Sequence, residues 1–486
     1  MKILKDLICE IEVVKRIGDD EIPVTGIAFD SRKVEPGFIF LAQKGLHTDG
    51  HAFIQAAIEK GATSVICGIL PDSLSEGVTY VQVADANRAL GLAASSFYDH
   101  PSRKMKVIGV TGTNGKTSIA TLSWHLFSKL GYKTGLISTI QNIVDEKSEP
   151  SSLTTPDSLK IQSLMAEMVQ AGCTHCFMEV SSHAVDQDRI AGIEFAGGIF
   201  TNLTHDHLDY HKTFQEYLKA KKRFFDQLPV NAFALTNLDD KNGQVMVQNT
   251  GARVATFSLA AMSDFRCRVI ESHFDGMLLS IDGKEVWTRF VGRFNASNLL
   301  AIYSSAILLG QDKENVLTIM SLLTPVKGRF ETIRSIDGKF AIVDYAHTPD
   351  ALNNVLRSVN EVRSGNERVI TVVGAGGDRD RTKRPEMARE ALAASDYVIL
   401  TSDNPRTEIP EAIIHDMEAG IEKNSANRVL SIVNRREAIK TAIMLAKPGD
   451  IILVAGKGHE NYQEINGIRH HFDDREVIEE FFGLTI

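Results

Sequence analysis

The sequence predicts an α/β fold in three domains: a small N-terminal α/β unit, a central parallel sheet, and a C-terminal Rossmann-like, doubly wound sheet. Three observations predict it. The chain runs to 486 residues, and a single hydrophobic core stops growing well before that length, so roughly three domains are expected. From Val107 onward, apolar runs of strand length alternate with segments of helical spacing, the pattern of a parallel sheet with crossover helices. Polar clusters, several containing glycine, follow those runs, at the strand ends where open α/β sheets hold their ligands.

Within residues 1–104, strand-like runs lie at Val24 to Phe29, Phe38 to Ala42 and Ser64 to Cys67, with a helical stretch near Ala52 to Lys60. His100-Pro-Ser-Arg-Lys-Met-Lys106 is polar and broken by proline, and reads as a linker. Residues 105–328 carry strands at Val107 to Val110, Phe177 to Val180, Gly198 to Thr201, Phe233 to Thr236 and Val254 to Phe257. Asp275-Gly276 and Asp282-Gly283 then flank alternating apolar residues, which predicts antiparallel hairpins appended to that sheet. Pro325-Val-Lys-Gly-Arg-Phe330 marks the next boundary. Residues 329–486 repeat the alternation, with strands at Phe340 to Val343, Val369 to Val373, Val398 to Thr401, Val429 to Val433 and Ile451 to Ala455. Four polar clusters follow four of these strands: Asp344-Tyr-Ala-His347, Gly376-Gly-Asp-Arg-Asp380, Asp403-Asn-Pro-Arg406 and Gly456-Lys-Gly-His-Glu460. One pocket is expected from them.

Composition is ordinary for a globular protein, at 43% hydrophobic and 24% charged residues, which excludes disordered and fibrous classes. A formal net charge of -9 argues against a nonspecific binder of nucleic acid or of anionic membranes, so an anionic ligand must be met by a local basic pocket. The first residues place charges inside their apolar run and carry no small-residue cleavage site, so no secretory signal is read there. No stretch approaches membrane-spanning length. Five scattered cysteines suggest reduced thiols in a cytoplasmic protein. Cys173 and Cys176 form a lone Cys-x-x-Cys without a second pair, so buried thiols are expected there rather than a zinc or redox site.

Val107-Ile-Gly-Val-Thr-Gly-Thr-Asn-Gly-Lys-Thr117 is an apolar strand entering a glycine turn that ends on lysine and threonine. Gly112 and Gly115 allow a sharp turn and a close backbone approach, so that successive N–H groups can face phosphate oxygens. Lys116 adds a cation and Thr117 a hydroxyl for Mg2+. Ile119, Leu122, Leu126 and Leu130 follow at helical spacing before Gly131, which sets the turn at a helix N-terminus with its partial positive charge. Val110 stands where the strict P-loop spacing wants glycine, making this a shortened relative of that motif. Glu179 and His207 join Thr117 as ligands of the kind that hold Mg2+ beside a nucleotide. Ser181, Ser182 and His183 raise the rival reading of a hydrolase, but no glycine-flanked nucleophile elbow surrounds them.

Thr111-Gly-Thr-Asn-Gly-Lys-Thr117, Glu179-Val-Ser-Ser-His183, Thr201-Asn-Leu-Thr-His-Asp-His-Leu-Asp209 and Asp344-Tyr-Ala-His347 together resemble the motifs of the Mur ligase family, the ATP-dependent amide-bond ligases of peptidoglycan precursor assembly. Asp30-Ser-Arg-Lys-Val-Glu-Pro-Gly37, Asp49-Gly50 and the last three strand-end clusters narrow the resemblance to the branch that adds meso-2,6-diaminopimelate to UDP-N-acetylmuramoyl-L-alanyl-D-glutamate. The matches run in order from residue 30 to residue 460.

The resemblance implies a central P-loop-type mononucleotide-binding parallel sheet. It also implies ATP phosphates on Gly112, Thr113, Asn114, Gly115, Lys116 and Thr117, with Asn295 and Asn298 near the adenine and Arg329 and Asp344 closing over the nucleotide. The uridine end of the nucleotide sugar falls to Ser31, Leu46, His47 and Thr48, and the rest of that substrate to Thr154, Thr155, Ser181, Gln187 and Arg189. Leu153 stands where several relatives carry asparagine, so one polar contact to this substrate is expected to be absent or replaced. Lys221 matches a lysine carried as a carbamate (N6-carboxylysine), which with His207 would help hold a second Mg2+. Lys116, Lys221, His207 and Glu179 are the implied catalytic set. Diaminopimelate is assigned to Arg379, Asp403, Asn404, Pro405, Arg406, Gly456 and Glu460. Arg406 is suited to grip the carboxylate that lysine lacks, and Glu460 to face an ammonium group.

The implied chemistry is attack of a D-glutamyl carboxylate on the γ-phosphate of ATP, giving an acyl phosphate that an amine then displaces. A monomer is expected. The alternatives are a lysine-adding or other Mur ligase, a folylpolyglutamate synthetase, or a regulatory ATP-binding module without catalysis.

Overall fold

The computed structural model of the chain describes residues 2–45, 48–204, 206, 208–363 and 365–484. Its largest sheet has eleven strands. Seven of them run parallel, in the spatial order Thr134–Ile137, His175–Glu179, Lys106–Thr111, Phe195–Phe200, Phe233–Asn237, Arg253–Ser258 and Phe265–His273. The expected hairpins continue it antiparallel through Gly276–Ile281 and Lys284–Thr288. A second antiparallel pair, Gln141–Val144 and Lys147–Pro150, extends the opposite edge and had no clear sequence signal. Strand residues alternate between two cores. Ile108, Val110, Phe177 and Ile199 pack with Ile119, Leu122 and Leu126 of the helix Lys116–Lys129. Val107, Cys176, Met178 and Phe200 pack on the other face with Ile161 and Met165 of Ser158–Gln170 and with Phe224 of Phe214–Asp226. Burial on both faces is why these strands read as continuous apolar runs.

The N-terminal sheet orders Val13–Ile17, Thr79–Val83, Ser64–Cys67, Phe38–Ala42 and Gly26–Ala28. The run at Val24 to Phe29 is split: Pro23–Val24 pairs with Lys2–Ile3, and Gly26–Ala28 with Phe38–Ala42. The segment read as a polar linker is instead packed. Pro101–Lys104 is a 3-10 turn with Pro101 and Ser102 buried, and Ser102 Oγ accepts from the Glu194 backbone N–H at 3.0 Å. Two glycines bring this unit onto the central domain. A Cβ on Gly91 would lie 2.5 Å from the Ala191 carbonyl oxygen, and one on Gly192 would lie 2.6 Å from that of Gly91.

The C-terminal sheet orders Glu331–Arg334, Phe340–Asp344, Ile451–Ala455, Val369–Ala375, Tyr397–Ser402 and Val429–Ser431, parallel except for the first strand. This is the doubly wound arrangement the sequence predicts. Gly328 and Phe330 both take left-handed backbone, at φ 67° and 49°, where the chain enters this sheet. Gly328 sits so close to the Gly456–Glu460 loop that a Cβ would meet the His459 amide nitrogen at 2.1 Å. Cys173 and Cys176 are free, buried thiols, and burial raises both pKa values. Among the described residues no helix is long and apolar enough to cross a membrane.

Candidate active site

The phosphate loop is built where Lys106–Thr111 meets the helix Lys116–Lys129, whose N-cap Gly115 has φ 88°. Backbone closeness explains its glycines. A Cβ on Gly112 would lie 1.9 Å from Thr201 Oγ1, and one on Gly115 2.7 Å from Asn298 Oδ1. The next parallel strand supplies the clamp. Thr201 Oγ1 donates to the Asn114 carbonyl at 2.6 Å, the Asn114 N–H donates to Asn202 Oδ1 at 2.9 Å, and the Thr113 N–H to the Asn202 carbonyl at 2.9 Å.

Lys116 Nζ folds back on the loop, donating to the carbonyls of Gly112 at 3.0 Å and Thr113 at 2.8 Å. Lys221 reaches the Gly112 carbonyl at 2.8 Å from Phe214–Asp226 and lies 4.7 Å from the Tyr217 ring centroid. Burial, assisted by the repulsion of Lys116, pushes the Lys221 amine well below the ordinary lysine range, while Asp206 opposes the shift. Burial lowers Lys116 too, against the attraction of Glu179 and Asp206. Two neighbouring amines that share one carbonyl thus favour the uncharged form.

Glu179, fully buried at its strand end, is the hub of the central domain's polar groups. Thr117 Oγ1 donates to it at 3.0 Å, the Thr139 N–H at 2.7 Å and Thr139 Oγ1 at 3.1 Å. Thr139 Oγ1 also reaches Thr154 Oγ1 at 3.1 Å. Thr155 Oγ1 donates to the Glu179 carbonyl at 2.8 Å, and Arg189 donates to the Thr155 carbonyl at 2.9 Å and to Gln187 Oε1 at 2.7 Å. Ser181 Oγ caps the short helix Ser182–Asp186. Ser182 is buried against His211 Nε2 at 2.9 Å, and neither serine has the exposed geometry of a hydrolase nucleophile. Leu153 is about half exposed, ahead of this cluster. The sequence-predicted group of Thr117, Glu179, Thr154, Thr155, Ser181, Gln187 and Arg189 is therefore contiguous. Ser31 starts a 3-10 turn capped by Asp30, and Thr48 is exposed beside Asp49. Leu46, His47 and His207 lie outside the described residues.

Apolar packing joins the central and C-terminal domains, with Phe274 stacked on Phe340 and the Phe294 ring 5.7 Å from that of Phe330, and three polar contacts cross near the phosphate loop. Arg329 donates to Thr117 Oγ1 at 3.3 Å and stacks 4.3 Å over the Tyr345 ring, Asn114 Nδ2 donates to Asp350 Oδ2 at 3.0 Å, and Lys383 pairs with Asp206 at 2.5 Å. Asp344 accepts from the Phe330 N–H at 2.7 Å and the Ala346 N–H at 2.8 Å, and burial raises its pKa to about 6. Asn295 and Asn298 are buried on Arg293–Leu308, the latter against Gly115.

The four strand-end clusters do meet. The Gly456 N–H donates to the Asp344 carbonyl at 3.1 Å, and the Gly377 N–H to that of Asn404 at 2.9 Å. Asn404 Nδ2 donates to Glu460 Oε2 at 2.7 Å, and the buried Lys457 donates to both Asn404 Oδ1 at 3.1 Å and Glu460 Oε2 at 3.2 Å. Asp403 Oδ2 would be 2.5 Å from a Cβ at Gly456. Arg406, with left-handed backbone at φ 52°, follows Pro405 and donates to the Gly377 carbonyl at 2.6 Å. Arg379 is on the adjoining Gly376–Arg381 turn, donating to the Asp378 carbonyl at 3.1 Å. Thr139 and Asp350 lie outside every motif read from the sequence, and Asn202 and Lys457 lie inside such motifs without an assigned role. Asn202 was findable, since it lies two residues past the strand next to the phosphate-loop strand, whereas Asp350 reaches its partner only through the tertiary fold.

Hard oxygen donors at Thr117 and Glu179 fit a magnesium ion chemically. Among the described residues no group of three or more His, Cys, Asp or Glu side chains forms a metal cluster.

Fold and site together define a nucleotide-dependent ligase, and the chain belongs to the Mur ligase family, ATP-dependent amide-bond ligases. Family models match it over residues 23–98 (Mur ligase family, catalytic domain), 110–306 (Mur ligase middle domain) and 328–458 (Mur ligase, glutamate ligase domain). The chain is 58% identical to a UDP-N-acetylmuramoyl-L-alanyl-D-glutamate--2,6-diaminopimelate ligase of Bacteroides fragilis, over 99% of this chain and 100% of the relative. It is 59% identical to the protein of that name in Phocaeicola vulgatus, over 99% of each. A solved structure titled as the same ligase superposes with a TM-score of 0.71 at 33% identity, covering 99% of both chains.

Proposed function

We propose that this protein joins meso-2,6-diaminopimelate to UDP-N-acetylmuramoyl-L-alanyl-D-glutamate at the expense of ATP, in peptidoglycan precursor synthesis in the cytoplasm. The observation that carries this reading is the meeting of the turns at the C-terminal strand ends. There a cationic fork, Arg406, shares one set of turns with the Asn404–Glu460 pair. A second substrate bearing both a carboxylate and an ammonium group is what such a pair recognises. Lysine would leave the arginine without its partner, which disfavours it far more than shape would.

A carboxylate does not condense with an amine in water, so it must first be activated. The amides of residues 112–117 and Lys116 hold the triphosphate, with its γ-group facing the D-glutamyl carboxylate. Attack of a carboxylate oxygen on that phosphorus gives an acyl phosphate and ADP. The amine then attacks the activated carbonyl, phosphate leaves, and the amine gives up its proton. Asn295 and Asn298 flank the adenine, and Arg329 and Asp344 close over the nucleotide. Thr154, Thr155, Ser181, Gln187 and Arg189 line the path of the muramyl peptide, whose uridine end lies by Ser31 and Thr48. Arg379, Asp403, Pro405 and Gly456 complete the amino-acid pocket. Thr117 and Glu179, with His207 and a carbamylated Lys221, would hold Mg2+, which when bound neutralises phosphate charge. Only an uncharged amine takes up carbon dioxide, and the buried setting of Lys221 supports that modification.

Phosphate release should require ATP, the muramyl dipeptide and the diamino acid together, and release without them would sink the reading in favour of a regulatory module. Arg406→Ala should lower the preference for diaminopimelate over lysine by about a hundredfold or more. Under 13C-labelled bicarbonate, the wild type should show a carbamate resonance that Lys221→Ala lacks.

A further inference from the structure

Arg379 and Arg406 stand on two separate turns, and the carboxylate of Glu408, just past the second, reaches back to the first. Glu408 Oε1 accepts from the Asp378 N–H at 2.6 Å and from Arg384 at 2.7 Å. Its Oε2 accepts from Arg381 at 2.7 Å and from Arg384 at 3.0 Å. The Asp378 carboxylate returns the tie by accepting from Thr407 Oγ1 at 2.7 Å and the Thr407 N–H at 3.2 Å. Beneath them lies Arg384, 1% exposed at the start of the helix Lys383–Ala394, which also donates to Asp416 at 2.8 Å and to the Gly376 carbonyl at 3.3 Å. The turns touch so closely that a Cβ on Gly377 would lie 1.9 Å from the Pro405 carbonyl oxygen, and one on Gly376 3.0 Å from the Arg406 guanidinium.

We propose that Glu408 is a positioning residue for amine selection: it locks the Gly376–Arg381 turn to the Asp403–Thr407 turn, and so presets the spacing of Arg379 and Arg406. It touches no substrate and acts through those arginines, and the proposal rests on the amino-acid pocket assigned above. Hydrogen bonds from Arg384 and Arg381 hold the Glu408 carboxyl far below the usual carboxylate range, so it stays charged at any working pH. A bidentate grip on a carboxylate demands the guanidinium in one orientation, and a misplacement of about 1 Å costs up to roughly a hundredfold. An arginine on a left-handed residue after a proline depends on outside contacts for that orientation.

The test uses the whole enzyme with Glu408→Gln, which keeps one acceptor oxygen and the shape, and Glu408→Ala, which keeps neither. Expected are a rise of about tenfold or more in KM for diaminopimelate and a comparable fall in its preference over lysine. The KM for ATP and kcat at saturating diamino acid should stay within about twofold. Hydrogen exchange of the ligand-free protein should quicken in peptides covering residues 376–382 and 403–409 and nowhere else. If Glu408→Ala does not fold, the same readouts on Glu408→Gln decide. Unchanged preference, unchanged exchange in the two turns, or a loss of kcat with exchange raised across the whole domain would each overturn the proposal. A wild type that ignores diaminopimelate would instead sink the assigned function, and the exchange comparison would still judge the tie between the turns.

Discussion

At Asp344, burial and hydrogen bonding pull in opposite directions. Desolvation raises the carboxyl to about 6, although Arg329 and two backbone N–H donors favour the charged form. The folded pKa lies above that of the unfolded chain, near 3.8, so the folded state holds the proton more tightly. This group's contribution to stability is fully present below about pH 4 and is lost as the pH rises through about 6. A shift of about two units corresponds to roughly 3 kcal/mol. In Asp344→Asn that dependence vanishes. Denaturation of both proteins between pH 4 and 7 should show the wild-type stability falling relative to the variant by about that amount, and a constant gap would contradict it. One Asp344 oxygen holds the Phe330 N–H, next to Arg329, and the other holds the Ala346 N–H of its own strand-end loop.

The helix Lys116–Lys129 begins and ends on glycine for different reasons. Gly112 and Gly115 precede it in left-handed backbone with Thr201 and Asn298 packed against them, whereas a Cβ on Gly131, at φ 93°, meets nothing within 4 Å. Gly131→Ala should therefore cost only the backbone strain, about 1 kcal/mol in stability, and leave the KM for ATP unchanged. Gly112→Ala must push the loop off Thr201, and the KM for ATP should rise about tenfold or more. Equal kinetic effects at the two positions would show that the loop's close packing is irrelevant to nucleotide binding. The same contrast says how much was legible beforehand. Strand, glycine turn and helix were readable because each obeys a local rule: an apolar run, positive φ, a period of 3.6. The antiparallel pair Gln141–Pro150 was not, because it is polar and takes its shape from the strand Thr134–Ile137 beside it. The segment at residues 100–106 was misread because proline and charge signal a linker, while its burial depends on Glu194, distant in sequence. Arg406 announced itself by its motif, but Glu408, two residues on, could be valued only once Asp378 and Arg384 were seen to converge on it.

Across the whole molecule the two outer domains are attached to the centre by different means. The N-terminal unit meets it backbone to backbone at Gly91, Ala191 and Gly192, with Ser95 Oγ donating to the Gly192 carbonyl at 2.9 Å. Such contacts leave no slack, so a methyl group added at Gly91 should cost about 1–3 kcal/mol by overpacking. The C-terminal domain is joined by apolar packing of Phe274, Val291 and Phe294 on its core and, around the phosphate loop, by polar side chains: Arg329 to Thr117, Asn114 to Asp350 and Lys383 to Asp206. All three polar ties end on or beside the phosphate loop, so with the proposed nucleotide bound there, closing this domain and ordering that site would be one event. Polar ties exchange readily for water, so these contacts are the ones expected to open and close. Lys383→Met removes the ion pair while keeping most of the stem. It should enlarge the radius of gyration measured by solution scattering without nucleotide and raise the KM for ATP several-fold, with added ATP restoring the compact form. Gly91→Ala should lower the melting temperature and leave both quantities alone. A Lys383→Met protein as compact as the wild type, with unaltered ATP dependence, would mean that the Asp206 pair does not hold the C-terminal domain over the phosphate loop.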